Sequence, residues 1–222
     1  MLSVVDEIKN LFEGSLRSVL VCLECGSKRI QSETFMSISL PLSKDGLPNA
    51  VQSTLGIAKE TLDIETCLRH FTVPEMLTDP VMCPNCDKKT LTKKQHVVSK
   101  LPKVLCLHLK RFDAATNRKI EDFVSFPCRG LNMGQFLPHW CEVSRVPVVS
   151  SIDSLEQWAV PEIRYDLFAT VNHFGNVQSG HYVSNVLVNN QWYHCNDSFI
   201  GFSSEAETLR SEGAYLLFYI RR

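Results

Sequence analysis

Residues 179–201 read SGHYVSNVLVNNQWYHCNDSFIG, and this stretch decides the fold class. Two runs rich in Val, Tyr and Trp flank Asn189-Asn190. That pair predicts a two-residue hairpin turn, because asparagine tolerates positive φ at both central positions. Val188 then pairs with Gln191, and the register runs back until Val183 faces Asn196. His181 lies two positions from Val183, so it shares a face with Asn196 and sits diagonal to it. Diagonal cross-strand neighbours are roughly 7–8 Å apart at the backbone, within reach of a His–Asn side-chain hydrogen bond. Asp197 points to the opposite face unless the strand bulges. An imidazole oriented by an amide keeps its other nitrogen free to act as a base, which is two-thirds of a Cys-His-Asn apparatus.

Working outward, residues 165–172, 181–188, 191–196 and 214–221 form an antiparallel set. Val104 to Phe112 alternates, with Leu105, Leu107 and Leu109 on one face. Residues 119–126 (KIEDFVSF) predict a further strand closed by Pro127. Near the N-terminus, Ser3 caps a short helix with Asp6 three residues later. Val4, Ile8, Leu11 and Phe12 recur at helical spacing, and Gly14 is placed to end the helix. Leu16 to Val21 and Lys28 to Thr34 are strands, 43–56 is a loop, and Thr61 to Phe71 is a helix. Residues 134–163, with Pro138, Pro147 and Pro161, form a long surface loop. The fold class is α+β, an antiparallel sheet with a second, cysteine-bearing β lobe.

Four of the nine cysteines fall in two identical spacings, Cys22-Leu-Glu-Cys25 and Cys83-Pro-Asn-Cys86. A two-residue gap lets one tight turn aim two thiolates at a single ion, and Gly26 and Pro84-Asn85 supply the turn formers. Together the pairs offer the four sulfurs of a closed tetrahedral structural Zn²⁺ site. The 57 intervening residues mean that this zinc ribbon carries an insertion. An odd cysteine count without a signal peptide argues against a disulfide framework.

The 222 residues are 44% hydrophobic and 21% charged, within the globular norm, which excludes wholesale disorder and a coiled coil. Lys+Arg 23 against Asp+Glu 24 gives a net charge of −1, so no direct nucleic-acid partner is expected and a zinc-ribbon nucleic-acid binder is disfavoured. Lys88, Lys89, Lys93 and Lys94 are read as a solvated face. No apolar run approaches the ~18 residues of a membrane span, and Asp6, Glu7 and Lys9 interrupt any leader, so an intracellular protein without a membrane partner is expected.

These motifs resemble the ubiquitin-specific proteases, papain-like cysteine peptidases that remove ubiquitin. The resemblance rests on both cysteine pairs, the Leu107–Phe112 strand LHLKRF, the Ser179-Gly180-His181-Tyr182 box, the strand Trp192 to Ser198, and the closing Ala214 to Tyr219. It implies an antiparallel β palm over about 101–222, an inserted zinc-ribbon fingers lobe over about 15–100, and a helical thumb. It implies His181 as general base, Asn196 as third triad member and Asp197 as supporting acid. Cys22, Cys25, Cys83 and Cys86 become the zinc ligands of a lobe that grips ubiquitin. Residues 173–180 match a loop over the cleft for ubiquitin's C-terminal tail. Phrases such as YDLFATVNHFG look closest to members that act on histones, implying ubiquitinated histones as substrates and the nucleus, with or without the cytoplasm, as location.

The family's nucleophile belongs to a Gly/Asn-rich box resembling GNTCY, and 1–222 contains no such box. The expectation is a partial catalytic domain that begins after its nucleophile, a truncated form or ubiquitin-binding pseudoenzyme that contacts ubiquitin without cutting it. Cys106 lies in an apolar strand, Cys195 adjoins Asn196 in its strand, Cys67 sits on the expected helix and Cys128 and Cys141 lie in loops, so none is read as a substitute.

Overall fold

Strand periodicity governs the architecture in the computed structural model, which describes residues 3–42, 62–113, 117–137 and 161–222. The expected loop at 43–56, Cys141 and most of 134–163 lie outside the described residues. Two units result. One comprises Met1–Met36, Thr72–Pro102 and Asn132–Ile163, the other Ser37–Phe71, Lys103–Leu131 and Arg164–Arg222.

The first unit begins with a helix, Val4–Phe12, whose N-cap Ser3 and Asp6 form a reciprocal capping box. Gly14 does not cap it. The chain turns extended at Glu13, and Gly14 opens the strand Gly14–Cys22 opposite Phe35. A β-carbon at Gly14 would collide with the Phe35 ring, so close packing explains this glycine. The sheet runs in the order Lys28–Phe35, Gly14–Cys22, Thr92–Lys100, Glu75–Met76. Thr92–Lys100 is a strand that hydrophobic alternation does not reveal, because its first half is Thr-Lys-Lys-Gln-His. A short hairpin, Val81–Cys83 with Lys88–Thr90, carries the second cysteine pair. Lys88 and Lys93 are exposed, and Lys88 meets Glu24 at 2.7 Å in an exposed ion pair.

In the second unit the strand order is Phe199–Ser203, Gln191–Asn196, Gly180–Val188, Arg164–Gly175, Ala214–Arg221, Val104–Lys110, Ile38–Pro41. The expected antiparallel set is present and gains Phe199–Ser203 as an edge. The sheet is not wholly antiparallel, since Ile38–Pro41 pairs parallel with Val104–Lys110. Leu105, Leu107 and Leu109 are completely buried. The helix expected from Thr61 runs Ile64–Thr72 instead. Asp63 accepts from the Thr66 amide (2.7 Å) and hydroxyl (2.8 Å), so it caps the helix rather than joining it.

The strand expected over 119–126 is broken into Arg118–Lys119 and Val124–Ser125. Arg111, fully buried, is the cause. Its Nη1 donates to the carbonyls of Ile120 and Asp122, both at 2.9 Å, and its Nε to that of Ala214 at 2.6 Å. A buried guanidinium must find acceptors, and it takes them from the segment that would otherwise continue the strand.

Removing side-chain volume from this core carries a cavity cost. Leu107→Ala is expected to destabilise the fold by about 2–5 kcal/mol, read as a drop in the denaturant midpoint at unchanged slope.

Candidate functional site

Asn189 and Asn190 adopt φ 48 and 64, the left-handed pair of a tight hairpin turn. Val188 pairs with Gln191 and Ser184 with Cys195, as the turn predicts. The consequence is the expected contact: His181 Nε2 lies 2.6 Å from Asn196 Oδ1. An amide oxygen only accepts, so Nε2 carries the proton and Nδ1 presents a free lone pair. The strand ends at Asn196. Asp197 follows in a turn with φ 50, so the ring's partner is the amide and not this carboxylate.

Glycine at 180 has a packing reason. A β-carbon there would collide with the His173 Nε2 and with the Phe174 carbonyl. The His173 ring is buried and packs against Tyr182 at 4.7 Å and Phe112 at 5.3 Å. Burial, helped by the nearby Lys119 charge, pushes its pKa below the ordinary histidine value, so it packs as a neutral ring beneath the hairpin mouth. Sequence reading missed this residue, and the motif Gly-His gives no sign of a second imidazole behind it.

The face that bears His181 and Asn196 continues along both strands. His194 Nδ1 meets Asn185 Oδ1 at 2.9 Å, and Ser211 donates to buried Asn172 at 2.8 Å. Together with Val183, Phe174 and Phe199 they line a cavity of about 650 Å³. His194 is thus a hydrogen-bonded face residue, and Trp192 is buried packing. His108 likewise bonds to Ser39 through Nδ1 at 3.0 Å and meets Tyr215 edge-on.

Of the other described cysteines, Cys67, Cys106 and Cys128 are buried and Cys195 is half-buried. Desolvation pushes the buried thiols of Cys67 up to about 12 and of Cys106 and Cys128 up to about 11, where thiolate is scarce. Cys195, one residue from Asn196 on a regular strand, faces the other side of the sheet.

In the first unit, the sulfurs of Cys22, Cys25, Cys83 and Cys86 all lie within 4.8 Å of one another. Cys22 and Cys86 are 3.9 Å apart, Cys25 and Cys83 3.7 Å. A regular tetrahedron with arms of ~2.3 Å has edges of about 3.8 Å, so the donor set and its spacing fit one tetrahedral ion. Ser27 Oγ stands 3.2 Å from Cys25 Sγ and 3.3 Å from Cys83 Sγ, and Thr90 Oγ1 stands 3.2 Å from Cys22 Sγ. The Ser27 hydroxyl brings the Cys25 thiol down to about 5, whereas the crowding of sulfurs, Cys25 foremost, pushes Cys86 up to about 12. Four thiolates cannot coexist so closely without a cation. The CxxC spacing finds the ligands, but Ser27 and Thr90 escape it.

The sequence model of a family described as ubiquitin carboxyl-terminal hydrolase matches residues 2–219. The chain belongs to that family. Ubiquitin carboxyl-terminal hydrolase 51 of Mus musculus is 35% identical over 224 residues, covering 97% of this chain and 33% of the relative. Ubiquitin carboxyl-terminal hydrolase 3 of Homo sapiens is 36% identical over 218 residues, covering 95% and 38%. Among solved structures, a SAGA Ubp8/Sgf11/Sus1/Sgf73 DUB module bound to ubiquitin aldehyde superposes with a TM-score of 0.72 at 32% identity, covering 97% of this chain and 42% of the matched one. This ubiquitin carboxyl-terminal hydrolase chain therefore spans about a third to two fifths of the length of such relatives.

Metal content tests the cysteine cluster. Purified chain should contain one tetrahedral metal ion, which acid or a strong chelator removes because protons compete for thiolates. Cys86→Ser should lower both metal content and thermal stability.

Proposed function

We propose that this chain is the palm and fingers part of a thiol-dependent deubiquitinase, with His181 as general base for hydrolysis of the isopeptide bond at ubiquitin's C-terminus. The observation that carries the reading is the 2.6 Å contact between His181 Nε2 and Asn196 Oδ1. The amide fixes the tautomer, and Nδ1 is left to take a proton from an attacking thiol and return it to the leaving amine. Asp197, next to the pair, adds negative potential from the following turn. Family membership and a ubiquitin-aldehyde-bound structural relative support ubiquitin as the partner. Ubiquitinated histones are the proposed substrates, in the nucleus with or without the cytoplasm. Among the described residues no helix is long and apolar enough to cross a membrane.

Cys22, Cys25, Cys83 and Cys86 are proposed to hold a structural Zn²⁺. The ion supplies a fourfold cross-link between the two knuckles and, with every ligand position filled by protein sulfur, no open site for chemistry. The nucleophile is proposed to come from sequence outside 1–222. A ubiquitin-binding pseudoenzyme is the second reading, favoured by the burial or the orientation of the described cysteines that bind no metal.

The experiment is incubation with ubiquitin bearing a thiol-reactive C-terminal warhead. The chain should bind ubiquitin yet form no adduct, and labelling of any of its nine cysteines would overturn the assignment. In an enzyme form that includes a nucleophilic cysteine box, His181→Ala should lower kcat on the order of 10⁴-fold or more. Asn196→Ala should cost less, because it disturbs the tautomer and not the base itself.

A further inference from the structure

The mouth of the hairpin that bears His181 is held from outside by a lysine. Lys119 Nζ donates to the carbonyl oxygens of His173 at 2.9 Å and Gly175 at 3.0 Å. These residues bracket Phe174, which pairs with His181, and Gly175 itself pairs with Gly180. Gly175 has φ 113, a backbone conformation outside the regular strand that only glycine adopts readily. Strand geometry alone does not aim its carbonyl. An ammonium shared by two carbonyls does, and hydrogen bonds from a charged donor are the stronger kind.

Lys119 is itself anchored. It pairs with Phe112 in a two-residue ladder. The next residue, Ile120, donates its amide to the Arg111 carbonyl at 2.7 Å and accepts from Arg111 Nη1 at 2.9 Å. Arg111 Nε reaches the Ala214 carbonyl at 2.6 Å. Hydrogen bonds thus run from the closing strand through a buried guanidinium to Ile120, whose chain neighbour Lys119 carries the ammonium at the hairpin mouth.

The hairpin tip is tied together by its own hydrogen bonds. Asn176 Oδ1 accepts from the amides of Gln178 (2.8 Å) and Ser179 (3.0 Å), and its own amide donates to the Ser179 carbonyl at 2.9 Å. With the tip closed on itself, freedom concentrates at Gly175 and Gly180. His181 is exposed, so side-chain packing does little to hold its ring, and the direction of the backbone decides whether Nε2 meets Asn196.

We propose that Lys119 is a positioning residue for His181, clamping Gly175 so that the imidazole stays in hydrogen-bonding reach of Asn196. The functional weight of this clamp rests on His181 being the general base, but the clamp itself is read without turnover. A lysine that merely ties two segments together would leave the ring pair untouched when replaced.

The test compares ¹⁵N-labelled chain with Lys119→Met, Lys119→Gln and Lys119→Arg at mildly alkaline pH. Ring nitrogens are read by long-range ¹H–¹⁵N correlation and amides by hydrogen exchange. Native chain should show His181 with Nε2 protonated and Nδ1 bare. Lys119→Met should average the two tautomers and speed exchange at Gly180 and His181 about tenfold, with Val186 to Val188 unchanged. Lys119→Arg, whose guanidinium also spans two carbonyls, should restore both signals. A folded Lys119→Met chain that keeps the Nε2-protonated ring and its protection overturns the proposal. If that variant does not fold, Lys119→Gln, which retains one donor group, decides on the same criterion. Failure of His181 as a catalytic base would appear only in the turnover assay and leave these spectra as predicted.

Discussion

Register is the constraint on which the polar face of the second unit depends. Side chains alternate along a strand, so a slip of one residue would turn His181 away from Asn196 and Asn185 away from His194. The two left-handed asparagines at 189 and 190 prevent that slip, because a two-residue loop admits one alignment of its flanks. The contact at 2.6 Å is therefore the far end of a decision taken at the turn, eight residues up one strand and six down the other. The glycines follow from the same alignment. Gly180 stands where the His173 ring passes behind the hairpin, and Gly175 where the chain reverses toward it.

A second constraint acts through one buried charge. Arg111 meets backbone carbonyls in place of a carboxylate, and its Nη2 has no hydrogen-bond partner among the described residues. Burial pulls its pKa below the usual arginine value, yet a guanidinium stays charged at any physiological pH. The carbonyls it recruits come from residues 120 and 122, so that segment is bent around the side chain and cannot pair as a strand. Hydrophobic periodicity over KIEDFVSF carries no trace of this, since the cause lies at position 111. A polar demand in the core has overridden local β propensity.

That contrast explains what the sequence discloses. The hairpin and the two cysteine pairs are legible because their codes are local: two asparagines fix a turn, and a two-residue gap fixes a knuckle. The helix at 64–72 is legible in its periodicity, but its start is set by Asp63, whose capping bonds to Thr66 compete with the helical reading of Thr61 onward. Thr92–Lys100 and Ile38–Pro41 are strands for tertiary reasons. The first is polar in its opening half and is defined by pairing with Gly14–Cys22, and the second is too short for alternation to identify. Around the sulfurs, Ser27 and Thr90 are placed by folding next to ligands that spacing alone finds.

The cysteine cluster and the His181 pair solve opposite problems. Around Cys22, Cys25, Cys83 and Cys86, negative charge is concentrated beyond what thiols can sustain alone, and the conflict between a thiol near 5 and another near 12 is what a cation removes. At His181 the partner is neutral. An amide oxygen orients the imidazole through one hydrogen bond without placing a negative charge against it, while Asp197, the residue after Asn196, lies in a left-handed turn and is exposed. A carboxylate in the amide's place would stabilise the imidazolium and so favour holding a proton over passing it on. For the proposed general base, orientation by a neutral group keeps the ring available in both directions of transfer. The contact itself joins two neighbouring strands of one hairpin, so the turn at Asn189-Asn190 and the ring pair share a single register.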